Sequence, residues 1–512
     1  MEQKRQVLLL ILSGFGLTDH QTGNAVRQAN PEFLQKLFQE RPLTRLDAAG
    51  PAVGLPEGDP GSSEAGHLTL GAGRVVEQDG ARISRAIEDG RFAENPVLVG
   101  FLQKLRAEGK ALHLFGLLSD AGIHSHRSHL SALLQMAARH GPPRVYVHAF
   151  TDGRDSSPTG GIHFVRELGE EMERLGVGRI ATLCGRYFAM DRDSRWDRLE
   201  KAYQAFVHGV GHRASDPVRA VEDSYKVNIT DEFLPPTVIE NDGTPVGTVQ
   251  PDDGILPFNF RADRMRQFIR MFTEEAFPHF KRLEMPLQVA GLVSYAERFP
   301  FPVAFPTRPV GDVLGEVIAR AGIPQFRLAE TEKYAHITYF LNGRVETPFE
   351  GEERVLVPSP KIRTYDLQPE MAAYQIGDIL MEKIQLARFP FLLANLANCD
   401  MVGHTGNLEA AVKAVGAVDN VLSKVIPVAY NSGYDCIITA DHGNVEKMVR
   451  YDTGEPFPGH TPNPVPFCVL ARGAFELRHQ GGLADVAPTV LDLLGLPIPA
   501  AMTGTSLITR AK

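Results

Sequence analysis

Five short apolar runs in this chain each stop at a polar turn, most of them containing glycine, and this recurrence limits the fold more than any other feature. Val7–Leu12 runs into Ser13-Gly14-Phe15-Gly16, and Ala111–Leu118 into Ser119-Asp120-Ala121-Gly122. Arg144–Phe150 runs into Thr151-Asp152-Gly153-Arg154-Asp155, Phe391–Leu396 into Asn398-Cys399-Asp400, and Cys436–Ala440 into Asp441-His442-Gly443. Helical patterning follows them. An unbroken apolar run of this length reads as a strand covered on both faces, and strands that alternate with helices predict an α/β chain with mostly parallel sheets. In such sheets ligands gather beyond the carboxyl ends of the strands, where these polar turns fall.

The chain has 512 residues, 43% of them hydrophobic, enough for a large core. At about 150 residues per domain the length predicts two to four domains. The Pro- and Phe-rich stretch Phe299–Pro309 reads as a linker, and a second break is expected near Val76–Gly80. With both breaks the middle is an inserted domain, and the two ends of the chain build one sheet together.

Charge is near balance, 53 Lys+Arg against 62 Asp+Glu, a net −9 without a basic block. Nucleic acid is therefore not an expected partner, although a local arginine cluster can still hold phosphate. Cys184, Cys399, Cys436 and Cys468 form no CxxC pair and read as reduced thiols. The start, Met1–Arg5, is charged, and Val7–Leu12 is too short for a membrane span or a complete signal peptide core. The expectation is a soluble cytoplasmic protein.

Three polar loops of the C-terminal region carry metal-type ligands. Asp400 and His404 stand at i and i+4, a spacing that shares one face of a helix and equally suits a surface ion pair. Asp441 and His442 follow an apolar strand, and both can serve one centre where Gly443 turns the backbone. His460 lies in the Pro-bounded loop Gly459–Pro464. Asp and His without thiolate suit Mn²⁺ or Zn²⁺. Two metals about 3.5–4 Å apart commonly clamp phosphoryl chemistry.

Ser63 lies in Gly61-Ser62-Ser63-Glu64-Ala65-Gly66-His67, where small neighbours give a phosphate and metals access to the backbone. With no His-Asp pair nearby in sequence, metal activation is the expected route to a nucleophile, and Ser62 is an alternative. The middle of the chain is rich in Arg and Asp: Arg154, Asp155, Arg186, Asp191, Arg192, Asp193, Arg195, Arg261 and Arg264. Their apolar neighbours Phe188, Met190, Phe258 and Phe260 predict partly buried guanidiniums that need anionic partners.

At these residues the sequence resembles cofactor-independent phosphoglycerate mutase, of the alkaline phosphatase superfamily. Gly61–Arg74, Gly116–Asp120 with His124-Ser125-His126, and His148–Asp155 carry the resemblance. So do Gly185–Trp196, Phe258–Arg264, Thr364–Met371, Asp400–His404, Thr439–Asn444 and His460–Pro466. It implies interconversion of 3-phosphoglycerate and 2-phosphoglycerate in glycolysis and gluconeogenesis, without a bisphosphoglycerate cofactor, by a monomer. It implies a discontinuous phosphatase domain, 1–77 and 310–512, with two Mn²⁺ ions, and an inserted α/β transferase domain, 78–309, for glycerate. Ser63 would be phosphorylated. Asp400, His404 and His460 would hold one metal; Asp441, His442 and Ser63 the other. His124, Arg154, Asp155, Arg186, Arg192, Arg261, Arg264 and Lys333 would bind substrate. Asp155 would be the general acid/base. Domain closure would keep water from the phosphoserine.

One position departs from the pattern. Where the family has an aspartate ligand after the first strand, this chain has Ser13, and Asp19 is too far along to replace it. A hydroxyl in place of a carboxylate implies weaker binding of the second metal and a less acidified Ser63. Ser62 and Ala65 are smaller departures beside the nucleophile. Two rival readings follow from Ser13: a related phosphatase or mutase on another substrate, and a catalytically silent relative.

Overall fold

A computed structural model describes residues 5–296 and 299–510. Of the charged start, Met1–Lys4 lie outside the described residues. The chain divides into two compact units, Met1–Gln78 with Arg308–Lys512, and Asp79–Thr307. Four of the five apolar runs lie wholly in a strand, and the fifth, Cys436–Ala440, does so up to Thr439.

The first unit is built on an eight-stranded sheet. Its strand order is Glu352–Val357, Gln325–Glu330, Phe391–Leu396, Gln6–Leu12, Tyr434–Thr439, Val465–Leu470, Leu43–Asp47 and Gln480–Gly482. Gln6–Leu12 pairs in parallel with strands some 380 to 430 residues further along, Val7 opposite Phe391 and Leu8 opposite Cys436. Val7 through Leu12 are each buried, as a central strand covered on both faces requires. Val465–Leu470 alone runs against its neighbours. It therefore enters the sheet at the edge where the other strands leave, and this reversal matters for the site.

The second unit has its own core around a seven-stranded path. Its order is Gln288–Val289, Gly254–Pro257, Ala111–Leu118, Arg144–Thr151, Arg179–Gly185, Thr237–Asn241 and His212–Ala214. Parallel pairing dominates, with Thr237–Asn241 antiparallel to Arg179–Gly185. The stretch Phe299–Pro309 is more than a linker: Val303–Phe305 is a strand paired with Gly291–Val293. The four cysteines are free and buried, and no helix among the described residues is long and apolar enough to cross a membrane.

Candidate active site

The carboxyl edge of the first unit's sheet gathers the candidate residues. Ser13 follows Gln6–Leu12, Lys333 sits on the helix Thr331–Ala335 after Gln325–Glu330, and Asp400 on the helix Asn398–Gly403 after Phe391–Leu396. Asp441 and His442 follow Tyr434–Thr439. His460 comes from the loop before Val465–Leu470, and only the reversed direction of that strand brings it to this edge. Gly14 makes the first turn possible. Its φ is +80°, and a Cβ there would stand 2.6 Å from the Asp400 backbone.

Asp400 Oδ1 lies 3.2 Å from His404 Nε2 and 3.0 Å from His460 Nε2, and the two Nε2 atoms are 3.0 Å apart. Each ring donates from its other nitrogen to a carbonyl, His404 Nδ1 to Pro458 O at 2.8 Å and His460 Nδ1 to Gly61 O at 2.7 Å. Carbonyls only accept, so each Nδ1 carries hydrogen, and a neutral ring in this position turns its Nε2 lone pair inward. With both rings in that form three acceptors converge with no donor among them, an arrangement that fits a cation. Burial resists protonation of His404, but Asp400 outweighs it and raises the imidazole above its ordinary value, as a carboxylate facing two lone pairs would.

Ser63 opens the helix Ser63–Ala72. Ser62 is spent on the cap, its Oγ accepting from Ala65 N–H at 3.2 Å. Ser63 Oγ lies 2.9 Å from His442 Nε2 and accepts from Lys333 Nζ at 2.6 Å; Lys333 also donates to Asp400 Oδ2 at 2.5 Å. Burial lowers His442 to about 3, so its ring is neutral; with Nδ1 donating to Gly443 O at 3.3 Å, its Nε2 accepts a hydrogen bond from the serine hydroxyl. Sequence separation hid these partners: His442 and Lys333 are 379 and 270 residues from Ser63.

The small residues flanking Ser63 make room for the protein's own chain. A Cβ on Gly61 would stand 2.5 Å from His442 Cβ, and one on Gly66 2.5 Å from Asp441 O.

Ser13 is fully buried and donates to Asp441 Oδ2 at 2.9 Å. Asp441 Oδ1 accepts from Gly14 N–H at 3.2 Å and His442 N–H at 3.1 Å. Burial would raise Asp441, but His442, His67 and Lys333 hold it below the usual carboxylate range. His67, fully buried, donates from Nδ1 to Ser63 O at 2.8 Å, and its Nε2 accepts from Asn395 at 3.0 Å. Asp19 is exposed beside Arg27 and Arg45 and takes no part.

In the second unit the substrate-type residues also stand beyond strand ends. Arg186 is 3% exposed and pairs with Asp152 at 2.7 Å and Asp155 at 2.5 Å. Asp152 also accepts from Ser119 Oγ at 2.7 Å and from the N–H groups of Arg154 and Asp155. His124 Nε2 lies 3.6 Å from Asp155, and its buried Nδ1 has no hydrogen-bond partner among the described residues. Arg264 is lowered to about 10 by burial and by the charges of Arg192, Arg186 and Arg154. A cluster that lowers an arginine lacks negative charge, which an anionic ligand would supply.

Burial differs from the sequence expectation for part of this set. Arg192 and Arg195 are exposed, and Arg154 keeps 55% of its side chain in solvent; apolar neighbours in sequence pointed elsewhere. Asp191 instead caps its own loop, accepting from the N–H groups of Asp193 and Arg195. The sequence reading passed over Asp152, His67 and Glu446. For Asp152 a signal existed, since it directly follows the strand that positions Asp155.

The chain is similar along nearly its whole length to known proteins. A family model described as the N-terminus of BPG-independent PGAM matches residues 83–297. The 2,3-bisphosphoglycerate-independent phosphoglycerate mutase of Moorella thermoacetica is 49% identical over 99% of both chains. That of Clostridium novyi is 48% identical, covering 98% of this chain and 99% of its own. The solved phosphoglycerate mutase of Leishmania mexicana, studied at low cobalt concentration, is 31% identical with a TM-score of 0.83 and covers 99% of this chain and 98% of its own.

Proposed function

The chain belongs to the 2,3-bisphosphoglycerate-independent phosphoglycerate mutases, and from that membership we propose that it interconverts 3-phosphoglycerate and 2-phosphoglycerate through a phosphoserine at Ser63. The enzyme is an isomerase of glycolysis and gluconeogenesis that depends on divalent metal and needs no bisphosphoglycerate. One observation carries the assignment of Ser63: its hydroxyl is held between a lysine ammonium and a neutral imidazole beside two buried carboxylates.

Asp400, His404 and His460 would hold one ion, and Asp441, His442 and Ser63 a second. Their oxygen and imidazole ligands, with no thiolate, suit Mn²⁺ or Zn²⁺, and Mn²⁺ is the ion that the family resemblance implies. When bound, divalent metal supplies positive charge that acidifies the serine and offsets charge on the phosphoryl oxygens.

This chain's residues supply the rest. Ser63 Oγ, its proton already released to solvent, attacks phosphorus as the bond between phosphorus and the glycerate oxygen breaks, and it leaves again as the same deprotonated oxygen at the end of the cycle. Lys333 Nζ, which already donates to Ser63 Oγ, stays beside the phosphoryl oxygens and opposes their charge. Asp155 protonates the departing glycerate oxygen and later takes the proton from the other hydroxyl, which attacks phosphoserine and frees Ser63. Arg186 pairs with Asp155 and fixes the position of its carboxyl group. Arg154, Arg192, Arg261, Arg264 and His124 hold the glycerate carboxylate and phosphate oxygens while glycerate turns.

A Ser63→Ala variant is expected to lose mutase turnover, and rapid quenching of the wild type with phosphoglycerate to leave phosphate on Ser63 and none on Ser62. Substantial mutase activity in Ser63→Ala would sink the assignment.

A further inference from the structure

Glu446 is a buried carboxylate that the proposed chemistry leaves unused. It is wholly excluded from solvent, and among the described residues it has no ion-pair partner. Such a charge is stable only where hydrogen bonds replace its hydration. Four groups from three loops do so. Glu446 Oε2 accepts from Gly16 N–H at 3.1 Å and Asn444 N–H at 2.8 Å. Glu446 Oε1 accepts from Asn463 Nδ2 at 2.9 Å and from the Thr461 hydroxyl.

These contacts fall next to candidate metal ligands. Gly16 closes the turn that carries Ser13, Asn444 stands two residues after His442, and Thr461 directly follows His460. Asn444 also reaches Asp400, its Nδ2 donating to Oδ1 at 3.3 Å. Two glycines make the room. A Cβ on Gly16 would collide with the Glu446 carboxylate, and one on Gly443 would stand 2.5 Å from Oε1. Gly443 is absent from the positive-φ positions, so space around Glu446, and not an unusual backbone turn, requires glycine there.

We propose that Glu446 is a positioning residue of the metal centre: its carboxylate ties the Ser13, His442 and His460 loops into one frame and adds unpaired negative charge beside a cation site. This rests on the reading of the centre given above. Carboxylates that orient ligands from the outer layer of a metal site typically account for about 10–100-fold in metal affinity.

The test is calorimetric titration of Mn²⁺ into the metal-free full chain, with Tm measured in chelator and in saturating Mn²⁺. Glu446→Gln is expected to weaken binding at least about tenfold and to shrink the metal-induced rise in Tm. Thr461→Val, which removes one donor, is expected to weaken binding by a smaller factor, and Thr461→Ser to restore wild-type affinity. Should Glu446→Gln not fold, the Thr461 pair decides alone. Wild-type Mn²⁺ affinity in Thr461→Val and in any folded Glu446→Gln protein would overturn the proposal. So would a Tm lowered equally with and without Mn²⁺, the mark of a merely structural carboxylate. A wild-type chain that takes up no Mn²⁺ would instead overturn the reading of the centre itself.

Discussion

At the scale of single residues, Ser13 decides the most. The resemblance leads to the expectation of a carboxylate where the structure has a hydroxyl donating to Asp441. Without metal the hydroxyl is the better neighbour, because it feeds a proton to a buried anion that a second carboxylate would repel. With metal the preference reverses, since a cation is held more tightly by two negative oxygens than by one. Ser13→Asp is therefore expected to lower Tm in chelator and to raise Mn²⁺ affinity at the Asp441–His442 side. Thermal melts in chelator and in Mn²⁺ check both signs; shifts of the same sign in the two would refute this account. Activity should follow affinity, because about 1.4 kcal/mol of transition-state stabilisation is tenfold in rate.

Between residue and sheet, the second unit carries a polar chain through its core. Asp253 Oδ2 lies 3.2 Å from His113 Nε2, His113 Nδ1 2.9 Å from His148 Nε2, and His148 Nδ1 2.9 Å from Thr182 Oγ1. Asp253 accepts, so each imidazole in turn donates from Nε2 and accepts at Nδ1, and Thr182 closes the series as donor. Both rings are neutral. Burial lowers His113 despite Asp253, and lowers His148 well below 6.5. The unfolded chain takes up protons as pH falls through about 6.5, while the folded rings do so only at lower pH. Stability is thus full above that value and falls as acid is added, by up to about 1.4 kcal/mol per pH unit for each ring. Tm between pH 7.5 and 5.5 should drop, with a shallower slope in His148→Gln; a flat wild-type profile would contradict the scheme.

The same elements show what the sequence made legible. An apolar run buried on both faces announces itself, so Val7–Leu12 and Phe391–Leu396 could be read as parallel strands directly. Their order in the sheet could not, because an unbroken apolar run has no alternation to mark its neighbours. Nothing in Val465–Leu470 marks it as the reversed strand, yet that reversal delivers His460. Lys333 beside Ser63 and Glu446 beside Gly16 were equally hidden. Both bonds join residues hundreds of positions apart, and the second ends on a backbone N–H that carries no side-chain signature. The candidate ligands stood out together, as Asp and His on three polar loops of one region, and the resemblance then gave their grouping; D-x-x-x-H alone describes an ion pair as well as a metal site.

For the whole molecule, the consequence lies in how the chain is divided. The first unit takes its central strand from one end of the chain and the flanking strands from the other, so it cannot close its sheet without both. The second unit is continuous and has its own core. Every candidate metal ligand belongs to the first unit, while Trp196, the single tryptophan, belongs to the second. Its ring is stacked on His279, which makes its emission a report on local packing there. Metal that binds only folded protein stabilises the unit it binds, by about 2.7 kcal/mol at a hundred times Kd. Chelator is therefore expected to lower a calorimetric transition of the first unit by several degrees while the Trp196 fluorescence transition holds its midpoint. An equal shift of both would mean that the two units unfold as one, and a chelator-insensitive calorimetric trace would mean that the first unit's ligands hold no metal.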